Sequence, residues 1–249
     1  MTFREKLEAR IAATGSHLCV GLDVRAPDAS ESTKRWILDV IEQTAPYAAA
    51  FKPNSAYFEA LGWQGMRMLE EVLKHVPAEI PIILDVKRGD IGETQAYYAK
   101  AAFDHLGADA VTLNPYMGRD TLEPFLKYKD KGLYLLGVTS NPGAVDIELK
   151  KAGRRHVYEI VAEMTQASEQ TGLVLGLTNA AKDVVKRIPD VPLLIPGLGA
   201  QGGDLAAFKG SKRKAPIVIN VSRGILYADE DKPIATCAKR WMELISAAL

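Results

Sequence analysis

The sequence predicts a single (β/α)8 barrel with an N-terminal helix, extending over residues 1–249. Eight short apolar runs of β type alternate with eight helical segments along the chain. A length of 249 residues is close to the usual size of such a barrel. No proline-rich or serine-rich linker divides the chain, which favours one domain.

The predicted strands are apolar runs that stop at polar or glycine-rich segments. In chain order they cover residues 17–23, 48–53, 80–87, 110–114, 132–139, 173–177, 192–196 and 216–221. The predicted helices lie near residues 33–44, 62–76, 94–106, 120–131, 155–170, 180–188, 204–208 and 233–248, the seventh being short. Before the first strand, Phe3, Leu7 and Ile11 stand among charged residues, a pattern that predicts an amphipathic helix.

An open, doubly wound sheet is the competing fold. That fold places a Gly-x-Gly-x-x-Gly turn after its first strand. Here residues 21–28 read "GLDVRAPD" instead. The closed barrel therefore remains the better prediction.

Composition narrows the class of ligand and the compartment. Lysine plus arginine and aspartate plus glutamate both number 31, so no strongly one-signed surface is expected for nucleic acid or membrane. No run reaches the ~18 apolar residues of a membrane span. Cys19 and Cys237 form no Cys-x-x-Cys pair and predict neither a disulfide framework nor a cysteine zinc site. A small metabolite and a reducing cytoplasm are expected.

Polar residues at the ends of the predicted strands are the candidate site, because barrel enzymes build their sites at the carboxyl ends of the strands. Any one of them is more often solvated than catalytic, so the prediction depends on several converging. They are Asp23, Lys52, Asp85, Lys87, Asn114, Thr139, Ser140 and Arg223.

The third strand ends in "ILDVKRGD", residues 83–90. Because side chains alternate along a strand, Asp85 and Lys87 are expected on one side and Arg88 on the other, as ordinary structure. Lys52 ends the neighbouring strand, and Asp90 lies close in the following loop. A lysine held between carboxylates stays protonated and is a ready proton donor. A structural salt-bridge ladder is an equally open interpretation of this stretch.

Two glycine-containing segments predict a phosphate site. Residues 196–204 read "PGLGAQGGD" after the seventh strand, and residues 220–225 read "NVSRGI" after the eighth. Barrels commonly bind phosphate in these two loops, where glycines let backbone amides approach an anion. Arg223 supplies a permanent charge, and Gln201 is a further donor. A flexible glycine loop is the alternative.

Taken together, these motifs resemble the orotidine 5′-phosphate decarboxylase family. The matching elements are Asp85-x-Lys87-x-x-Asp90 followed by "IGET" (91–94), "GLD" (21–23), "FKPN" (51–54), "PGLGAQGGD" and "SRG" (222–224). "NPYMG" (114–118) and "TSNPGA" (139–144) resemble the second bacterial branch of that family. The resemblance covers nearly the whole chain.

The resemblance implies decarboxylation of orotidine 5′-phosphate to uridine 5′-phosphate and CO2 in pyrimidine biosynthesis, by a homodimer without metal or organic cofactor. By resemblance, the catalytic residues would be Lys87, Asp85, Asp90 and Lys52. Lys87 would protonate C6, and Asp85 would lie beside the leaving carboxylate. Asp90 would reach the partner subunit's site, joined by Thr94. The remaining contacts would be Asp23 and Lys52 to the ribose, Ser140 to the pyrimidine, and Gln201, Gly202, Ser222 and Arg223 at the phosphate loops.

Two departures and two alternatives accompany the resemblance. Gly92 stands where many relatives have proline, and the lid near residues 141–155 is longer and more charged than in the compact branch. Magnesium-dependent members of the superfamily carry a glutamate where Lys52 stands, and an ammonium cannot ligate Mg²⁺. A non-catalytic nucleotide-phosphate sensor is the alternative of another class.

Overall fold

The computed structural model describes residues 1–179, 182–197, 205, 207–208, 213–228 and 232–249. Eight parallel strands dominate it. In chain order they are β1 Leu18–Leu22, β2 Ala50–Pro53, β3 Ile83–Arg88, β4 Ala110–Leu113, β5 Gly132–Val138, β6 Thr171–Leu175, β7 Leu193–Pro196 and β8 Ile217–Val221.

The sheet closes into a barrel. From β3 to β8, each strand pairs with the next one in the chain; β8 then pairs with β1, and β1 with β2. The remaining seam, between β2 and β3, is joined by two parallel bridges, Phe51 to Ile82 and Asn54 to Asp85. Sequential parallel pairing that returns to its first strand is the topology predicted for a (β/α)8 barrel.

The barrel interior changes from apolar to polar along the strands. One apolar cluster takes a residue from every strand: Cys19, Ala50, Ile83, Ala110, Tyr134, Val174, Leu194 and Val218. Phe3 and Leu7 of the N-terminal helix join this cluster, with the Phe3 ring 5.9 Å from that of Tyr134. Two residues beyond Ala50 and Ile83, on the same side of each strand, stand Lys52 and Asp85. The interior layer that contains Lys52 and Asp85 therefore lies directly above the apolar layer, toward the carboxyl ends of the strands.

Helices surround the strands. They are α1 Phe3–Thr14, α2 Glu31–Thr44, α3 Ser55–Glu59, α4 Gly62–Leu73, α5 Gly92–Lys100, α6 Glu123–Leu126, α7 Val157–Met164, α8 Lys182–Arg187, α9 Arg223–Leu226 and α10 Ile234–Ala248. A π turn, Ala101–His105, extends α5. In the continuous described segments, 3₁₀ turns cover Ala45–Tyr47, Pro115–Met117, Arg119–Leu122, Pro142–Asp146 and Thr165–Ala167. Lys151–Ala152 and Arg155–His156 form a small antiparallel ribbon.

The N-terminal helix is confirmed, and its start has a clear local cause. The Thr2 hydroxyl accepts from the Glu5 amide, and the Glu5 carboxylate accepts from the Thr2 amide, which together form a capping box. Gly15 ends the helix in the left-handed conformation, with φ +63°. The apolar residues Phe3 and Leu7 are buried.

All eight predicted strands are confirmed, with ends that differ from the predicted ones by at most three residues. The helix predicted over 120–131 is wrong in length, because α6 ends at Leu126. The following residues, "KYKDK", contribute one aromatic side chain, Tyr128, to the core, and a helix with so little apolar surface gains little from packing. Helices α3 and α9 were not predicted, and most of the predicted 204–208 helix lies outside the described residues. No helix in the described part of the chain has the length and apolar character needed to cross a bilayer.

Candidate active site

A cavity of about 540 Å³ opens where the strands end, and predicted site residues line it. Six of them meet there: Asp23, Lys52, Asp85, Ser140, Ser222 and Arg223. Lys87 joins this group through its contact with Asp85. Gln201 and Gly202 lie outside the described residues. Residues more than a hundred positions apart in sequence therefore converge at one mouth.

Asp85 lies between two ammonium groups. Its Oδ2 is 2.7 Å from Nζ of Lys52, and its Oδ1 is 2.5 Å from Nζ of Lys87. The side chains of Lys52 and Asp85 are only 5% and 9% exposed, whereas that of Lys87 is 47% exposed. Lys52, Asp85 and Lys87 form a network of alternating charge, with one buried lysine and one that is about half exposed.

The network holds its buried members in their charged forms. Burial alone would raise the pKa of Asp85, but the neighbouring Lys52 and Lys87 outweigh it and hold that pKa well below its usual range. Burial would lower the pKa of Lys52, but the carboxylates of Asp85 and Asp23 raise it above its usual value. A buried ion pair of this kind is tolerated because each charge has an opposite partner.

The backbone at Lys87 departs from a regular strand. Lys87 has φ +45° and is the one non-glycine residue with positive φ in the described part of the chain. The register between β3 and β4 shifts between Leu84 and Arg88. The predicted neighbourhood of Asp85 and Lys87 is thus correct, but a bulged strand produces it instead of simple alternation.

Thr112 on β4 holds this bulge. Its Oγ1 accepts hydrogen bonds from the backbone amides of Val86 (3.0 Å) and Lys87 (2.9 Å). The same hydroxyl donates to Oδ1 of Asp85 at 2.9 Å. Sequence reasoning missed Thr112 because it sits inside the apolar run "AVTL". Thr112 stands two residues beyond Ala110 and therefore on the same, interior side of β4, and this position is what could have identified it from the sequence.

Neither Asp90, in the loop after β3, nor Thr94, on α5, is hydrogen-bonded to the network within the described part of the chain. Oδ1 of Asp90 accepts from the Ile91 amide at 2.8 Å, and Thr94 is exposed on the first turn of α5. Gly92 has φ +47°, a conformation closed to proline, whose ring fixes φ near −65°. The loop therefore follows a path that a proline at this position would not allow. Arg88 instead pairs with Glu59 at 2.7 Å.

At the opposite side of the mouth, Arg223 begins α9 beside the buried Ser222. Gly224 packs against Trp241 so closely that an added Cβ would lie 2.8 Å from Nε1, which donates to the Gly224 carbonyl at 2.9 Å. This contact fixes the backbone next to Arg223. The tight approach explains why a glycine follows the arginine.

Three buried oxygens along the cavity lack a donor within the described part of the protein: Oδ1 of Asp23, Oδ1 of Asn220 and Oγ of Ser222. Gly21 makes room for two of these residues, since a Cβ there would lie 2.8 Å from Cβ of Ser222 and 2.9 Å from Oδ1 of Asn220. Buried polar atoms are normally hydrogen-bonded. This side of the cavity therefore suits a ligand or solvent that donates hydrogen bonds, and Asn220 is a second residue that sequence reasoning missed.

The segment carrying Ser140 is fixed from two sides. The Thr139 amide donates to Oε2 of Glu148 at 2.7 Å, and Nδ2 of Asn179 donates to the carbonyls of Thr139 (2.9 Å) and Asn141 (2.7 Å). Glu148 belongs to the segment 141–155 that was expected to form a lid. The segment that contains Glu148 is thus tied to the strand end next to Ser140.

The fold and the cavity define a class: a (β/α)8-barrel enzyme whose site lies at the carboxyl ends of its strands. The profile of the orotidine 5′-phosphate decarboxylase / HUMPS family matches residues 16–237. That match spans far more than half of the chain. The chain belongs to this family.

Individual relatives agree over the full length. The chain is 43% identical to the orotidine 5′-phosphate decarboxylase of Roseiflexus sp. (strain RS-1), covering 100% of this chain and 99% of that protein. It is also 43% identical to that of Verminephrobacter eiseniae, with the same coverage. Among solved structures, Leishmania donovani OMP decarboxylase is 42% identical, with a TM-score of 0.89 over 100% of this chain and 98% of that one.

Proposed function

We propose that this chain converts orotidine 5′-phosphate to uridine 5′-phosphate and CO2 in pyrimidine biosynthesis. The observation that carries this proposal is the arrangement Lys52–Asp85–Lys87 at the barrel mouth. It occurs in a chain whose relatives of 43% identity, over their full length, are named orotidine 5′-phosphate decarboxylases.

Lys87 is the proposed proton donor. When the bond from C6 to the carboxylate breaks, its electron pair stays on C6 in the ring plane, where no conjugation disperses the charge. An ammonium about 4 Å away stabilises such a carbanion by roughly 4 kcal/mol at an effective dielectric near 20, which is about three decades of rate. The Lys87 proton then moves to C6, and water restores it. The half-exposed position of Lys87 supports this role.

Asp85 is the proposed neighbour of the substrate carboxylate. Its depressed pKa keeps it ionised, so it repels a second carboxylate placed beside it. Departure of CO2 relieves that repulsion, while the contact with Lys87 remains. Lys52 and Thr112 hold Asp85 so that it cannot turn away from the substrate.

Binding of the rest of the nucleotide supplies further energy for catalysis. Arg223 and Ser222, with Gln201 and Gly202, are proposed to hold the phosphate. Asp23 and Lys52 would contact the ribose, and Ser140 the pyrimidine. Contacts far from C6 lower the barrier when their energy is used to position the reacting carbon and to close loops over it.

A homodimer is proposed, with Asp90 and Thr94 completing the partner subunit's site. Large apolar side chains are exposed around the loops that follow β3 and β4: Ile91 (63%), Tyr97 (67%), Tyr116 (80%) and Met117 (53%). These loops touch, since the Asn114 amide donates to the Arg88 carbonyl at 2.8 Å. Exposed large apolar side chains in the same segments as Asp90 and Thr94 support an interface there. A reducing cytoplasm is also proposed, in keeping with two free, buried cysteines.

A metal-free reaction is part of the proposal. Lys52 stands where magnesium-dependent relatives carry a ligating glutamate, and its ammonium is engaged by Asp85 at 2.7 Å. The test is CO2 release from orotidine 5′-phosphate by the purified chain, with and without EDTA. Release in both conditions supports the proposal. Loss in EDTA would favour the metal-dependent reaction, and nucleotide binding without release would favour a sensor.

A further inference from the structure

Thr112 is a buried residue whose hydroxyl is fully used. It is 1% exposed and lies on β4 facing β3. A threonine hydroxyl has one proton to donate and two lone pairs that accept. Here both lone pairs receive backbone amides, from Val86 and Lys87, and the proton goes to Oδ1 of Asp85.

This bonding pattern determines the direction of each hydrogen bond. Because Val86 and Lys87 can only donate, the Thr112 hydroxyl has no free lone pair for a proton carried by Asp85. Protonation of Asp85 at Oδ1 would break this arrangement as well as the 2.5 Å contact with Lys87. Thr112 therefore favours an ionised Asp85 that accepts at Oδ1.

The same hydroxyl supports an unfavourable backbone. A non-glycine residue at positive φ is unfavourable and persists where the surroundings stabilise it. At Lys87, with φ +45°, two consecutive amides turn toward Thr112 at the register shift between β3 and β4. The bulge in turn sets where the Lys87 side chain begins and lets its Nζ return to Asp85.

We propose that Thr112 is a positioning residue for decarboxylation: through one hydroxyl it sets the geometry of both the Asp85 carboxylate and the Lys87 backbone. This inference rests on the proposed function. Thr112 makes no contact with substrate in this account and acts only through the two residues next to the reacting carbon. Its hydroxyl, and not its shape, is the required part.

The test compares Thr112→Val, which keeps the shape and removes the hydroxyl, with Thr112→Ser, which keeps the hydroxyl. Thr112→Val is expected to lower kcat by about 10- to 100-fold, the usual effect of losing hydrogen bonds to a charged group. KM for orotidine 5′-phosphate and the affinity for uridine 5′-phosphate should change by less than about twofold, because the phosphate contacts are intact. Thr112→Ser should restore kcat to within about threefold of wild type.

A matched control is Thr44→Val, which removes a buried hydroxyl that donates to the Val40 carbonyl at 2.7 Å inside α2. It should leave kcat unchanged. Wild-type kcat in Thr112→Val, or equal loss in Thr112→Ser, would overturn the proposal. If Thr112→Val does not fold, Thr112→Ala replaces it as the hydroxyl-free partner of Thr112→Ser, and equal kcat in that pair would also overturn it.

A second measurement, the crystal structures of the variants, distinguishes failure of this inference from failure of the proposed function. Crystal structures of the serine and hydroxyl-free variants should show the contact of Lys87 Nζ with Asp85 retained in the first and opened in the second. If wild type releases no CO2, the proposed function fails while this comparison still decides the role of Thr112. If wild type is active and the contact survives without the hydroxyl, only the inference about Thr112 fails.

Discussion

Nζ of Lys52 lies 2.7 Å from Oδ2 of Asp85, and both side chains are at least nine-tenths buried. The pair crosses the seam between β2 and β3, where only two isolated bridges join the strands. The charged stretch at residues 83–90 has two interpretations, a structural salt-bridge ladder and a reactive cluster. The carboxylate of Asp85 takes part in both. Oδ2 of Asp85 pairs with Lys52 across the seam between β2 and β3, and Oδ1 pairs with the half-exposed Lys87.

Lys52→Met should destabilise the protein strongly. Removing one member of a buried pair leaves the other charge without compensation, which costs about 3–5 kcal/mol. Urea unfolding measures the change, and activity should be lost as well. Lys74→Met removes a surface partner of Glu70 and should have a much smaller effect. Equal losses in the two variants would contradict the structural role of the pair.

The stability of the network should depend on pH in a defined direction. Asp85 has a lower pKa in the folded state than its usual value of roughly 4. Its contribution is therefore present above pH ~4 and is lost as the pH falls toward the folded-state pKa. Lys52, whose pKa is raised, contributes below pH ~10.5 and loses its contribution as the pH rises through the higher value.

The contribution of Asp85 at acid pH is checked by measuring the unfolding free energies of wild type and Asp85→Asn as a function of pH. The difference in unfolding free energy should stay constant at neutral pH and shrink below pH ~4. Asparagine does not titrate, so the change reports the Asp85 carboxylate. A difference that is the same at pH 6 and pH 3 would mean that Asp85 is not held ionised in the folded protein.

Arg223→Ala should lower kcat/KM for orotidine 5′-phosphate by about 10- to 100-fold, through loss of a charge-assisted contact to phosphate. The nucleoside orotidine, which lacks the phosphate, is the matched substrate. With orotidine, wild type and Arg223→Ala should turn over at the same low rate. Equal penalties with both substrates would remove Arg223 from the phosphate site. Arg67→Ala, an exposed arginine paired with Glu71, is the control variant.

Subunit complementation tests Asp90. Lys87→Ala and Asp90→Ala should each be inactive alone if Asp90 serves the partner's site. Subunits of the two variants, dissociated and reassociated together, should regain roughly a quarter of wild-type activity, since about half of the dimers are mixed and each carries one intact site. No recovery, with mixed dimers verified by mass spectrometry, would place Asp90 in its own subunit's site.

The strands could be predicted from the sequence because parallel strands covered on both faces must be apolar throughout. The short helix α9 could not, since it depends on the contact of Gly224 with Trp241, seventeen positions along the chain. The helix predicted over 120–131 is shorter in the structure for a local reason, because polar residues follow Leu126. Contacts between residues distant in sequence thus determine α9, which the apolar pattern of the sequence does not predict.

Site residues were predicted where charge interrupts an apolar run, as at Lys52, Asp85 and Lys87. Thr112 and Asn220 are uncharged and lie inside β-forming runs, so only their interior position marks them. The backbone at Lys87, with its positive φ, is hydrogen-bonded to the Thr112 hydroxyl on another strand. No property of residues 83–90 alone indicates it.

The role of Lys87 as proton donor is tested by comparing Lys87→Ala with Arg88→Ala, a change at the neighbouring residue, which pairs with Glu59. CO2 release from orotidine 5′-phosphate and binding of uridine 5′-phosphate are measured for both variants and for wild type. Lys87→Ala should lose at least about three decades in kcat while still binding the product. Arg88→Ala should remain close to wild type. Near-normal CO2 release by Lys87→Ala would contradict the proposed proton donor.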